Sequence, residues 1–141
     1  MKIFLDTNVL LDILAHRAGE SAAREIVGIF ANSENSRIYC SFLSVADAAY
    51  VLRKNGTDKI KRMVSDLHSW CDILGCTDFE LNSACKIESP DYEDCLQIAT
   101  AESKNVDVIL TRNTSHFRSY TEIPVLSPDE FLGKITASSP R

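Results

Sequence analysis

The stretch LDTNVLLD, residues 5–12, follows a short apolar run that begins at residue 3. An apolar run of this kind is typical of a buried strand, and here it ends at Asp6, with Asn8 and Asp12 close behind. In open sheets of parallel strands, ligands bind beyond the carboxyl ends of the strands. The strand that opens this chain therefore places a carboxylate where a binding site is expected.

Outward from this strand, apolar runs alternate with segments of helical period. Strands are predicted at 2–6, 37–41, 72–75, 106–111 and 123–126, and helices at 21–30, 44–54, 58–70, 79–87 and 90–104, with a last helix starting near 128. This alternation predicts an α/β fold, a three-layer α/β/α sandwich around a central parallel sheet of four to five strands. One domain is expected over residues 1–136, followed by a disordered tail at 137–141.

Two of the helix starts carry the same local signal. In SPDYED, which begins at Ser89, the serine can cap the helix, and Pro90 suits the first helical position. The acids that follow oppose the positive end of the helix dipole. In SPDE, residues 127–130, Glu130 is placed to form a capping box with Ser127. Both segments are predicted to be capped helix starts.

Composition narrows the class of protein. A hydrophobic content of 45% with 25% charged residues is ordinary for a globular chain, and no apolar run is long enough to cross a membrane. The N-terminus lacks a secretory pattern, so a cytoplasmic location is expected. The net charge of −5 disfavours non-specific adhesion to nucleic acid without excluding a local site.

The five cysteines are odd in number and form no C-x-x-C pair, which favours reduced, buried thiols. A zinc site at His68, Cys71, Cys76 and Cys85 is disfavoured because these spacings match none of the usual paired-ligand patterns.

Three acids are predicted to meet at one edge of the sheet. Asp47 lies one turn into the helix after the second strand, and Asp94 lies one turn into the helix that starts near Ser89. Together with Asp6, they would repel one another unless a cation were shared between them. Oxygen ligands without a histidine or cysteine cluster favour Mg²⁺ or Mn²⁺ over zinc.

The ordered motifs of this chain resemble those of the PIN-domain family. They are Asp6-Thr7-Asn8 after the first strand, Ser44 with Asp47 three residues on, the acidic segment 91–94 opening a helix, and Thr111-Arg112-Asn113 ending a strand, and the set spans residues 6–117. The resemblance implies a divalent-metal ribonuclease, commonly the toxin of a bacterial toxin–antitoxin pair of the VapC type. It further implies RNA as substrate, a small antitoxin as partner, and a homodimer.

Carried over by position, the resemblance assigns Asp6, Asp47 and Asp94 as metal ligands and catalytic residues. Asn8 and Ser44 match polar residues near the site, and Thr111 and Asn113 match the motif beside a fourth acid of the family. The chain departs from the family at two positions: Asp47 stands where Glu is usual, and His116 stands where an Asp is frequent. The Asp47 side chain is one methylene shorter than Glu, so its carboxylate reaches less far. His116 in place of Asp removes a negative charge and makes a second metal doubtful.

Other roles stay open at this stage. The basic residues near the motifs are candidates for phosphate contacts: Arg112, Arg17, Arg53 and Lys54. Asp91 and Glu93 are interpreted as acids that favour the helix dipole, and Asp12 as a partner of Arg17 or another base. His116 is either a solvated loop residue, a metal ligand or a phosphate contact.

Two further function classes compete with the nuclease. One is a PIN-like domain that has lost cleavage and serves as a binding module, which Asp47 and His116 make plausible. The other is a phospho-receiver signalling domain, which would need a phosphoacceptor after the third strand, where Asp78 is the candidate.

Overall fold

The computed structural model describes residues 1–138 of the chain. Five strands form one sheet: β1 (Lys2–Leu5), β2 (Arg37–Ser41), β3 (Asp72–Leu74), β4 (Val108–Leu110) and β5 (Val125–Leu126). The helices are α1 (Thr7–Leu14), α2 (Glu20–Phe30), α3 (Phe42–Val51), α4 (Thr57–His68), α5 (Asp78–Ala84), α6 (Tyr92–Ser103), α7 (Thr114–Arg118) and α8 (Pro128–Ser138). The predicted α/β class is confirmed.

All strand pairs are parallel, and the strand order is β3-β2-β1-β4-β5. The order reverses at the centre, where β1 lies between β2 and β4. Beyond the carboxyl ends of such neighbouring strands a crevice opens, and this is where open α/β sheets bind ligands. The order also rules out the phospho-receiver interpretation, because that fold places its strands in the order 2-1-3-4-5.

The sheet is covered on both faces, as the sandwich architecture requires. Alternate residues of β1 point to opposite faces: Ile3 and Leu5 pack with residues of α1, α2 and α8, while Phe4 packs with residues of α6 and α7. A small cluster of Ala84, Cys95 and Ala99 joins α5 to α6. The two layers hold the start of α1 and the start of α6 at the same edge of the sheet.

Several predicted boundaries differ from the structure. The sequence pattern gave no helix after Asp6, yet α1 begins at Thr7, one residue after β1 ends. The helix predicted from Ser44 begins at Phe42 and is capped by Ser41, and the segment 53–55 forms a single 3₁₀ turn. The short helix α7 was also not predicted.

The C-terminal end differs as well. Helix α8 includes Ala137 and Ser138, which the sequence pattern assigned to a tail, and residues 139–141 lie outside the described part of the chain. Cys40, Cys71 and Cys95 are buried, whereas Cys76 and Cys85 are exposed, so the prediction of buried thiols is wrong for those two. Among residues 1–138, no helix is long and apolar enough to cross a membrane.

Candidate active site

Asp6 lies at the centre of the site, between the end of β1 and the start of α1. It caps α1, and its Oδ1 accepts a hydrogen bond from the backbone of Thr7 at 2.8 Å. Its Oδ2 accepts from Thr111 Oγ1 at 2.7 Å and from Asn8 Nδ2 at 3.0 Å. Burial raises the pKa of Asp6, while the hydrogen bonds from Thr111 and Thr7 oppose that rise. These donors fix the orientation of the carboxylate.

Asn8 and Thr111 connect β1 to β4 beyond the ends of both strands. Asn8 Oδ1 accepts from the backbone N–H of Arg112 at 3.1 Å, and Thr111 Oγ1 accepts from the backbone N–H of Asn113 at 3.1 Å. The structure therefore brings Asn8 and Thr111 directly to Asp6, as the motifs predicted. Asn113 is the N-cap residue of α7, is exposed, and makes no side-chain capping bond.

A buried layer of hydroxyls and one amide lies next to Asp6. Ser44 Oγ lies 2.8 Å from Thr7 Oγ1 and accepts from Ser41 Oγ at 3.1 Å. Gln97 Nε2 donates to both Thr7 Oγ1 and Ser44 Oγ at 2.7 Å. Ser44 thus lies near the site, as expected, but sequence reasoning missed Gln97. The available signal was its position three residues after Asp94, which puts both on one face of α6.

A second group of acids lies at the start of α6. The pKa of Glu93 is raised to about 7, first by desolvation and then by the neighbouring carboxyls of Asp47, Asp91 and Asp6 in that order. A proton on Glu93 allows it to hydrogen-bond to Asp47, whereas two ionised carboxylates can only accept. The interpretation of Glu93 as a simple dipole-favouring acid is therefore incomplete, since it belongs to an acidic cluster formed by Asp6, Asp47, Glu93 and Asp94.

Asp94 is the best-shielded acid of α6, with 15% of its side chain exposed. Its pKa is raised to about 6, first by desolvation and then by the charges of Asp91 and Asp6, while His116 opposes the rise. His116 Nδ1 lies 3.5 Å from Asp94 Oδ2, close enough for an ion pair when the imidazole is charged but without hydrogen-bond geometry. The structure thus places His116 beside the acids, with its imidazole in ion-pair range of Asp94.

Three charged residues near the motifs have defined partners in the structure. The Nε of Arg112 lies 2.9 Å from Oδ2 of the buried Asp12, so this pair answers the question of what Asp12 binds, and a phosphate contact by Arg112 stays a prediction. Arg53 lies over the ring of Tyr50 and donates to the Tyr50 carbonyl. Asp91 serves as the cap of α6, where it accepts from two backbone N–H groups.

A pocket of about 390 Å³ opens beside Asp94 and His116. Its lining combines residues before and at the start of α6 with residues of α7 and the turn after it: Ser89, Pro90, Asp91, Asp94, Ser115, His116 and Tyr120. Asp94 is therefore accessible from solvent on this side.

The acids suit a hard divalent cation by donor chemistry. Asp47 Oδ2 and Asp94 Oδ2 are buried and have no hydrogen-bond partner, and such orphaned carboxylate oxygens are typical ligands of Mg²⁺ or Mn²⁺. Within residues 1–138, the side chains are positioned so that no three carboxylate, imidazole or thiol groups could together hold a metal ion. Binding would therefore require side-chain movement, and the ligand set Asp6, Asp47 and Asp94 stays a prediction.

Comparison with known families agrees with the order of these motifs. The sequence profile described as "PIN domain" matches residues 2–115, which is most of the chain. This chain belongs to the PIN-domain family. The resemblance drawn from the sequence is thereby confirmed. Among curated proteins, none matches the chain in sequence.

Solved structures confirm the PIN fold. VapBC-1 of nontypeable Haemophilus influenzae matches with a TM-score of 0.70 at 18% identity, over 92% of this chain and 99% of that one. VapBC2 of Rickettsia felis, bound to a promoter DNA fragment, matches with a TM-score of 0.69 at 15% identity, over 90% of this chain and 98% of that one. VapC20 of Mycobacterium tuberculosis, a toxin that cleaves the sarcin–ricin loop, matches with a TM-score of 0.64 at 14% identity, over 86% of this chain and 98% of that one. At these identities, the likeness shows the fold alone.

Proposed function

We propose that this PIN-domain protein is a divalent-metal-dependent ribonuclease and the toxin of a toxin–antitoxin pair. The observation that carries the proposal is the acidic cluster of Asp6, Asp47, Glu93 and Asp94, placed where the order of the sheet reverses. Raised carboxyl pKa values in a solvent-accessible cleft are typical of functional sites. An acidic cluster also repels RNA phosphate unless a cation lies between them, which supports the requirement for Mg²⁺ or Mn²⁺.

In the proposed reaction, the acidic residues of the chain would hold the cation. A bound cation would supply an activated water and offset the charge that develops on the scissile phosphate. Asp6 is held by Thr7, Asn8 and Thr111, so it presents a fixed oxygen geometry to that cation. Asp47 and Asp94 would complete the ligand set with their unpartnered oxygens. The expected products carry a 5′-phosphate and a 3′-hydroxyl.

The proposed partner is a small antitoxin protein. Support comes from the similar structures, two of which are described as VapBC assemblies and a third as a toxin–antitoxin complex of Klebsiella pneumoniae. Purification of the native protein from its source, followed by mass spectrometry, tests this: a stoichiometric small protein is expected. The homodimer implied by the family stays a prediction, which light scattering of the purified chain would test.

The test of the nuclease combines calorimetric titration with Mn²⁺ and cleavage of a mixed-sequence RNA. Native protein should bind Mn²⁺ and cleave, while Asp6→Asn should lose both because it removes one carboxylate from the site. Asp66→Asn on the exposed face of α4 removes the same charge elsewhere and should behave as native. Cleavage retained by Asp6→Asn would contradict the site assignment.

A second candidate function is a PIN domain that binds without cleaving. It is favoured by one observation: no three side chains of the described residues stand ready to hold a metal. Absence of Mn²⁺ binding at millimolar metal, together with retained binding of RNA or of a protein partner, would support this candidate over the nuclease.

A further inference from the structure

We propose that Gln97 is a positioning residue that fixes the distances between the three elements carrying the acids. It is 1% exposed and lies on α6, within hydrogen-bond reach of residues from α1 and α3. The inference rests on the proposed nuclease function where it concerns metal binding and cleavage. Its structural part, the coupling of three helices by one side-chain amide, stands on the contacts alone.

The orientation of the Gln97 amide follows from its neighbours. One terminal atom lies 2.7 Å from Thr7 Oγ1, 2.7 Å from Ser44 Oγ and 3.4 Å from Asp6 Oδ1. An ionised carboxylate only accepts hydrogen bonds, so the atom facing Asp6 must be the nitrogen. The two N–H groups then serve the two hydroxyls, with Asp6 as a more distant acceptor of the same group.

The hydroxyl protons can be assigned once the amide is placed. Ser44 Oγ accepts from Gln97 and from Ser41 Oγ, which fills both of its lone pairs. Ser44 must therefore donate its own proton to Thr7 Oγ1, which lies 2.8 Å away. The resulting chain of hydrogen bonds runs in one direction, and it needs a side chain at position 97 with two donors.

The unpaired oxygen of the Gln97 amide also supports a role for its nitrogen as a donor. Gln97 Oε1 is buried and has no hydrogen-bond partner, and an unpaired buried carbonyl is destabilising. An apolar residue of similar size would avoid that cost. The hydrogen bonds that the Gln97 nitrogen donates to Thr7 and Ser44 therefore explain why a glutamine is buried here.

Three members of the network, Thr7, Ser44 and Gln97, each lie within three residues of a predicted ligand in the chain. Thr7 follows Asp6; Ser44 precedes Asp47 by three residues on α3; Gln97 follows Asp94 by three residues on α6. Residues three apart on a helix share one face. A shift of the amide relative to Thr7 and Ser44 would thus shift the three predicted ligands relative to one another.

The variant Gln97→Met tests the role because it keeps the volume and removes both donors. Mn²⁺ should bind about 10- to 100-fold more weakly, the usual effect of losing a residue that orients metal ligands. Thr100→Val is the matched control: Thr100 is equally buried on α6, but its hydroxyl bonds only to the carbonyl of Leu96 on the same helix. It should lose stability while keeping the native Mn²⁺ affinity.

If Gln97→Met does not fold, Thr7 offers a milder route because it is only partly buried. Thr7→Val removes the hydroxyl and should weaken Mn²⁺ binding, whereas Thr7→Ser retains it and should restore native affinity. Native Mn²⁺ affinity in both Gln97→Met and Thr7→Val would overturn the positioning role.

A double-mutant cycle separates failure of this inference from failure of the proposed function. Gln97→Met and Ser44→Ala are combined, and unfolding equilibrium constants are measured without metal. Coupled residues should give a double variant that departs from the product of the single effects by about fivefold or more. If native protein binds no Mn²⁺, the proposed function fails and the cycle alone decides: coupling supports the positioning role, and additivity overturns it.

Discussion

The two helix starts with the sequence Ser-Pro-Asp behave in opposite ways. At the start of α8, Glu130 and Ser127 form the predicted capping box, and Glu130 Oε2 accepts from the Ser127 backbone at 2.8 Å. Arg118 Nη2 approaches the same oxygen at 2.9 Å. The Ser127 backbone and then Arg118 lower the pKa of Glu130.

At the start of α6, the cap moves from the expected Ser89 to Asp91, whose Oδ1 accepts from the backbone of Glu93 at 2.9 Å and of Asp94 at 3.3 Å. The next two acids face other carboxyls, and their pKa values rise to about 7 and about 6. The comparison teaches that the local motif determines where a helix starts. What its acids do depends on residues far away in the chain.

The largest expected effect comes from removing one acid at each helix start. Asp94→Asn should lower metal-dependent RNA cleavage by roughly 100-fold or more, since it removes a predicted ligand. Asp129→Asn, at the start of α8, should leave cleavage unchanged. Initial rates with Mn²⁺ on one RNA measure both. Equal rates for the two variants would break the distinction between the helix starts.

A second change strengthens the contrast by adding an acid beside α6. His116→Asp places a carboxylate near Asp94, which should increase Mg²⁺ binding and bring Mg²⁺-dependent cleavage closer to the Mn²⁺ rate by several-fold. Native protein should favour Mn²⁺, because imidazole prefers softer metals than Mg²⁺. Rates across both metals measure the effect. If His116→Asp is slower with either metal and native activity rises toward about pH 6, His116 contacts phosphate instead.

A third prediction concerns stability against pH in the absence of metal. Glu93 and Asp94 have raised pKa values, so between about pH 4 and 7 the native state holds more protons than the unfolded state. Stability should therefore fall as pH rises through that window. Thermal unfolding in the presence of a chelator measures it, and a shift of a few degrees is expected.

Glu93→Gln supplies the control for the pH prediction, because it removes the group with the higher pKa. The fall in stability above about pH 5 should become shallower in this variant. Glu130, whose pKa is lowered, contributes stability that is lost only in more acidic solution, so it should not affect this window. An unchanged slope in Glu93→Gln would show that the acidic cluster does not store repulsion.

The smallest expected effect separates the caps themselves. Ser127→Ala removes the hydroxyl of the capping box and should cost about 1 kcal/mol of unfolding free energy. Ser89→Ala should cost less, because Asp91 caps α6 and Ser89 Oγ only accepts from the Asp91 backbone at 3.3 Å. Urea denaturation of both variants measures the difference. A larger loss of unfolding free energy for Ser89→Ala would show that Ser89, the predicted cap, caps α6 after all.

Much of the fold was predictable because strands buried on both faces appear as short apolar runs. The helix α1 was missed for a physical reason: Val9, Leu10, Leu11 and Ile13 are all buried, so their run lacks the polar face that reveals a helical period. The one available signal was Asp6, which is an ordinary N-cap residue. Asp6 serves both as that cap and as a member of the site.

The site was predictable where residues follow strand ends and not where distant segments meet. Asn8 and Thr111 could be placed beside Asp6 because β1 and β4 end at the same edge. The pairing of Arg112 with Asp12 joins two distant parts of the chain, and nothing in local sequence indicates that this arginine has a buried carboxylate as partner. Gln97 was equally invisible, since a glutamine on a helix is usually exposed.

The central position of β1 has a consequence for the synthesis of this protein. The hydrogen bond from Thr111 to Asp6 joins residues 105 positions apart, and β1 gains its neighbour β4 only after most of the chain exists. Pairings of such long range form late in folding, because the loop must be closed before the contact is made. A nascent chain that has not yet released β4 from the ribosome therefore has no fixed Asp6. The proposed nuclease would become active only after β4 and Thr111 have emerged from the ribosome and paired with β1.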